Sequence, residues 1–172
     1  MPARSVSPVA AQTSDWGVIS REYAIKAAYL YNFGRYVTWP PEAFPSTAAP
    51  FVISLIGQDR TAPYLEKIAR DGEIAGRSIV VQRLGTAEDF RPCHILFIGR
   101  HATAEQRLEI LRRVGNLPVL VVGETPGFAQ QDGIVNFYIA GNKIRFEINH
   151  EAAKQKGLRI SAKLLALSKI VP

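Results

Sequence analysis

Residues 118–149 read PVLVVGETPGFAQQDGIVNFYIAGNKIRFEIN, and two hydrophobic periods stand within that one stretch. Val119 to Val122 is a short continuous apolar run, the pattern of a strand buried on both faces. From Ile134 to Ile139 and from Lys143 to Ile148, apolar and polar residues alternate instead, as in a strand with one wet face. Gly141-Asn142 between them suits a two-residue hairpin turn, which needs backbone at positive φ. Such a turn forces the register: Ile139 faces Ile144, Tyr138 faces Arg145, Phe137 faces Phe146, Asn136 faces Glu147, and Val135 faces Ile148. One face of the hairpin is then wholly apolar, while the other gathers Asn136, Tyr138, Lys143, Arg145, Glu147 and Asn149.

Upstream, the same both-face-buried pattern recurs. FVISLI (51–56) and HILFI (94–98) are short apolar runs, with RSIVVQRL (77–84) as a further strand. Helices are expected between them: one near Pro63 to Arg70, a short turn opened by Thr86 with Asp89, and one opened by the Thr103/Gln106 capping-box pair and running to about Val114. Strands alternating with helices predict an α/β fold: a mainly parallel sheet of about six strands with helices on both faces, ending in the antiparallel hairpin and C-terminal helices. Asn149 caps one of these, ending at Gly157, and Ser161 caps the last, AKLLALSKIV (162–171).

The first helix is expected from Arg21 to Val37, capped by Ser20, with Tyr23, Ala27, Leu30, Tyr31 and Gly34 on one face. Tyr29, Phe33 and Tyr36 lie on a largely separate face beside Lys26. They either widen the buried stripe or offer an aromatic surface to another chain, which would make a dimer.

The length of 172 residues allows one domain with a real core, taken as residues 20–172, after a leader at 1–19. Hydrophobic residues at 47% and charged residues at 21% argue against disorder, and charge, Gly or Pro interrupts every apolar run before membrane-spanning length. The net charge of +6 is concentrated at the C-terminus, where Lys143, Arg145, Lys154, Lys156, Arg159, Lys163 and Lys169 face only Glu147 and Glu151. Such a segment is either a solvated face or a docking surface for an anionic partner. Val9-Ala10-Ala11 before Gln12 has the small-residue form of a signal-peptidase site, so the leader is either an export-signal remnant or an unstructured start.

A search for catalytic groups is mostly negative. Cys93 is the lone cysteine, which excludes an intramolecular disulfide and a Cys-rich zinc site. His94, His101 and His150 lack metal-pair spacing, and Cys93 and His94, adjacent on a strand, point to opposite faces. No glycine-rich phosphate loop follows the first strand, where Gly57-Gln58-Asp59-Arg60 stands. No cofactor, metal or nucleic-acid partner is expected. Gly123-Glu124-Thr125-Pro126-Gly127 sits where open α/β sheets bind ligands, though a plain turn has the same composition. The hairpin's polar residues, Arg145, Glu147, Asn136 and Tyr138, are the best site to emerge from the residues: they would hold a small zwitterion or a partner's charged group, or else form an ordinary wet sheet face.

KAAYLYNFGRYVTWP (26–40), CHILFIG (93–99), the 118–149 stretch and GLRISAKLLALSKIV (157–171) together resemble the YfiR family of bacterial periplasmic proteins, over about Glu22 to Val171. The resemblance implies a compact, usually dimeric α/β domain exported to the periplasm. It also implies a non-enzymatic repressor that binds the periplasmic sensor part of an inner-membrane diguanylate cyclase, YfiN, and holds cyclic-di-GMP synthesis and biofilm formation low. A different membrane sensor or a small ligand, such as a nucleotide or aromatic amino acid, is the alternative partner. The family's recurrent Arg and Glu fall on Arg145 and Glu147, and its opening-helix block places Lys26, Tyr29 and Asn32. The single cysteine departs from the cysteine-rich, redox-responsive relative.

Overall fold

The computed structural model describes the backbone of residues 9–57 and 60–172, and side chains within these from residue 21 onward. The chain alternates α1 (Val9–Tyr36), β1 (Val37–Thr38), β2 (Phe51–Ile56), α2 (Thr61–Asp71), β3 (Glu73–Ile74), β4 (Arg77–Leu84), β5 (Ile95–Ile98), α3 (Ala104–Val114) and β6 (Leu120–Gly123). It continues through α4 (Phe128–Gln131), β7 (Val135–Ala140), β8 (Lys143–Asn149), α5 (His150–Gln155), β9 (Arg159–Ile160), α6 (Ala162–Leu167) and β10 (Lys169–Val171). The main sheet has eight strands in the order β10-β8-β7-β6-β5-β2-β4-β3, and β1 pairs with β9 in a separate antiparallel ribbon. β4, β2, β5, β6 and β7 run parallel, so the expected α/β class holds.

The apolar runs explain why the sheet is covered on both sides. In β5, Ile95 and Phe97 join one core with Leu30 and Phe33 of α1 and Leu65 of α2, while Leu96 and Ile98 join a second core with Ile110 and Val114 of α3. Leu120 and Val122 divide from Val121 in the same way. A strand with two buried faces cannot alternate in polarity, which is why these segments read as continuous apolar runs.

Local signals set several boundaries as expected. Gln106 N–H donates to Thr103 Oγ1 at 3.1 Å, and Thr103 N–H donates to Gln106 Oε1 at 2.9 Å, closing the capping box of α3. Asn149 and Ser161 cap α5 and α6 by accepting from the N–H groups of Ala152 and Leu164. The β7–β8 register is the one forced by the turn, from Val135↔Ile148 to Ile139↔Ile144, with Gly141 at φ 62°.

Three expectations need correction. The main sheet has eight strands rather than about six, because the short β3 and β10 extend its two edges. Helix α1 spans Val9–Tyr36, so Ser20 lies within a helix and not at its start; residues 1–8 of the expected leader lie outside the described residues, as do Gln58 and Asp59. The final segment is not one helix: α6 stops at Leu167, Ser168 turns extended, and Lys169 to Val171 pair in parallel with β8. The β-branched Ile170 and Val171 favour that ending.

The aromatic face of α1 turns inward. Phe33 is fully buried, 5.0 Å from the Phe146 ring and 5.8 Å from that of Phe137, and Tyr29 lies 5.3 Å from Phe146. The surplus aromatics therefore widen the core, and give no support to a dimer.

His94 and Cys93 point to opposite sides of the sheet, as their adjacency demands. The imidazole lies between Phe44 and Phe51, with ring centroids 4.2 and 5.0 Å away. Its Nδ1 accepts from Val52 N–H at 3.0 Å, so the proton sits on Nε2, which donates to the Ala43 carbonyl at 2.9 Å. Burial pushes its pKa below the ordinary 6.5; the Ala43 carbonyl opposes the shift and the Arg77 cation adds to it. The unfolded chain therefore binds the proton first. Stability should be complete above about pH 6.5 and fall as the pH drops below that toward the depressed folded value, by at most ~1.4 kcal/mol per pH unit. Urea unfolding between pH 7.5 and 5 checks this, and His94→Gln should flatten the decline; an equal slope in the variant would assign it to other groups. On the other face, burial drives the Cys93 thiol up to about 12 against a hydrogen bond with Ser54, so it carries no thiolate for chemistry.

Candidate functional site

Parallel strands β5 and β6 lie side by side, Phe97 opposite Val122, and both stop where polar residues begin. Arg100 follows the first and Glu124 the second, so both stand at the carboxyl ends of the sheet, where open α/β sheets hold ligands. Arg100 N–H donates to Glu124 Oε1 at 2.8 Å. Helix α1 passes the same end and inserts Lys26, whose Nζ lies 2.7 Å from Glu124 Oε2 and 2.7 Å from Glu22 Oε1, one helical turn earlier. Arg100 adds a contact of 3.5 Å to Glu22 and donates to the Tyr23 hydroxyl at 3.3 Å.

Lys26 is only 3% exposed. Burial alone would lower its pKa, but the hydrogen bonds and charges of Glu124 and Glu22 outweigh it and hold the ammonium above the ordinary 10.5. The cation is thus fixed in place, locking α1 to the ends of β5 and β6.

A cleft of about 320 Å³ opens beside this cluster, lined by Glu22, Lys26, Arg100 and Glu124, by Pro126 and Gly127 of the loop after β6, and by the strip Asn136 to Ile139 with Ile144 and Glu147. It exists because β6 pairs with β7 only as far as Gly123↔Asn136, so the β7–β8 hairpin projects past its neighbour. The inner part of the hairpin's polar face is not wet. Asn136 is 2% and Glu147 8% exposed, on the side of the hairpin where α4 packs. Asn149 Nδ2 ties that helix down through the Ala129 carbonyl at 2.9 Å, and Phe128 fills space left by Gly123 and Gly133, where a Cβ would overlap its ring. Asn136 Nδ2 donates to Glu147 Oε1 at 3.4 Å, and Asn136 Oδ1 receives no hydrogen bond.

Of the residues singled out in the sequence, the cleft brings together Lys26, Asn136, Tyr138 and Glu147, with Glu124, Pro126 and Gly127 of the loop after β6. Arg145 faces Tyr138 across the hairpin but is exposed and outside the lining. Tyr29 lines a neighbouring groove of about 690 Å³ between α1 and the hairpin tip, with its hydroxyl 3.4 Å from the Ile144 carbonyl. Asn32 is half-buried farther along α1, away from both. Glu22, Arg100 and Glu124 were missed as a cluster. The i, i+4 spacing of Glu22 and Lys26, and the position of Glu124 directly after a buried strand, were the available signals.

No group of three or more His, Cys, Asp or Glu side chains among the described residues is placed to hold a metal ion. No helix among them is long and apolar enough to cross a membrane.

An open, mainly parallel sheet with a polar cleft at its carboxyl edge defines an α/β domain with a place for a ligand or partner at the ends of its strands. The family model described as DUF4154, YfiR/HmsC-like, matches residues 23–169, and the chain belongs to that family. No curated protein matches the chain.

Proposed function

We propose that this protein is a periplasmic regulator that docks on the sensor domain of an inner-membrane diguanylate cyclase and lowers cyclic-di-GMP output, acting through binding rather than catalysis. The observation that carries the reading is the family match over residues 23–169, nearly the whole folded chain. The export-signal form at Val9 to Ala11 agrees with a periplasmic location.

The docking face most consistent with this role is the outer part of β8 with β10. Lys143, Arg145 and Lys169 are exposed there, beside Ile170, which is 57% exposed, and Leu167 at 69%. By the β8–β10 register Lys143, Arg145 and Lys169 share one face of the sheet while Ile170 turns to the other, and a basic face at the end of the sheet suits a protein partner with acidic groups. Arg145 is free to make that contact, whereas the buried Glu147 is held within the fold.

Titration calorimetry with the cyclase's periplasmic domain tests the face. Arg145→Ala should weaken binding by tenfold or more while the thermal midpoint moves little, because its guanidinium is exposed. Unchanged affinity would remove Arg145 from the interface.

A further inference from the structure

We propose that the cleft at the carboxyl ends of β5 and β6 is a binding site for a small organic monocation: a primary ammonium group carried on a short apolar body. Two observations define the head of the ligand. The cleft is lined by three carboxylates, Glu22, Glu124 and Glu147, against two cations, Lys26 and Arg100, leaving a formal charge of −1. Both cations are engaged by Glu22 and Glu124, and among the described residues no Lys, Arg or His lies within 4.0 Å of the Glu147 carboxylate. A buried carboxylate without a cation is costly, and one positive charge balances it.

The second observation is the orphaned acceptor. Asn136 is almost completely buried, and its Oδ1 has no donor. Reversing the amide does not cure this, because Nδ2 is the atom that donates to Glu147, and an oxygen there would face the carboxylate. Asn136 Oδ1 is therefore an acceptor with no donor beside a carboxylate that has no cation and accepts only the long bond from Asn136 Nδ2, and an ammonium supplies three N–H groups with one charge. A bound anion would leave Asn136 Oδ1 unsatisfied and add to the negative charge.

The body of the ligand follows from the rest of the wall. Phe137, Ile139 and Ile144 line the same cleft, and a volume of about 320 Å³ is at the small end for organic ligands. Lys169 stands opposite Glu147 in the β8–β10 register, but it is exposed and makes no ion pair with it, so it does not fill the place.

The test uses hexylamine as probe, with hexan-1-ol and hexanoate as neutral and anionic counterparts, in calorimetry and thermal melts of the whole chain. Hexylamine should bind and raise the midpoint; the alcohol should bind at least tenfold more weakly, and the acid not at all. Glu147→Gln should weaken hexylamine binding tenfold or more while the midpoint of the free protein stays level or rises, since a buried unpaired charge is removed. Asn136→Ala gives a second reading and should also lose affinity. Lys169→Ala should leave the affinity unchanged. Equal binding of amine and alcohol, no amine binding, or full amine binding by Glu147→Gln would overturn the proposal. A tenfold gain in Lys169→Ala would also overturn it, by showing that this lysine is the natural occupant.

Discussion

Lys26→Met should lower the stability of the fold by roughly 3–5 kcal/mol, although methionine nearly matches the length and volume of the lysine stem. The ammonium is held at 2.7 Å by both Glu22 and Glu124, whose side chains are 20% and 8% exposed. Removing it leaves two carboxylates side by side, with only Arg100 near them. For a chain of this size the loss corresponds to a fall in thermal midpoint of roughly 6–20 °C. Lys26→Ala should cost only a little more, because the lost charge outweighs the lost packing. Differential scanning calorimetry at pH 7 measures both variants against wild type. A variant within about 1 kcal/mol of wild type at pH 7 would mean that the cluster behaves as an exposed ion pair.

A comparable loss is expected from Phe33→Ala, for a different reason. Phe33 is fully buried and joins α1 to the hairpin through stacked and edge-on contacts with Phe137 and Phe146, and Phe137 in turn meets Phe97 of β5 at 5.8 Å. Deleting the ring leaves a cavity that these strand residues cannot collapse to fill, at a cost of ~3–5 kcal/mol in urea unfolding. Tyr29→Ala should cost less, since Tyr29 is only half-buried and its hydroxyl contact is long. If the Tyr29 variant lost more than the Phe33 variant, the outer ring would be the anchor.

These two residues also show what was legible in the sequence. The hairpin register could be read in advance because a two-residue turn and strict alternation leave no other pairing. Helix α3 was legible because its capping box is local. The end of the chain was not: AKLLALSKIV holds a helical pattern and a β-branched ending, and only the free edge of β8 selects the strand at Lys169 to Val171. On α1, the sequence left open whether Tyr29, Phe33 and Tyr36 face the core or a partner; the position of the hairpin decides it.

The site was legible in part. Asn136, Tyr138 and Glu147 follow from strand register, whereas Glu124 meets Lys26 across 98 positions of sequence because β5, β6 and the course of α1 bring them together. That contact has no local signature. Nor does the burial of Glu147, since the hairpin alone would leave its polar face wet and α4 and β10, both outside the hairpin, pack against β8.

The regulator reading stands or falls on whether the chain acts on a cyclase. The most direct measurement reconstitutes the full-length inner-membrane diguanylate cyclase in nanodiscs and follows cyclic-di-GMP formation as this chain is added to the periplasmic side. The account predicts a saturable fall in rate, weakened in parallel with binding by Arg145→Ala. A rate that stays constant at concentrations far above the Kd found by calorimetry would contradict it.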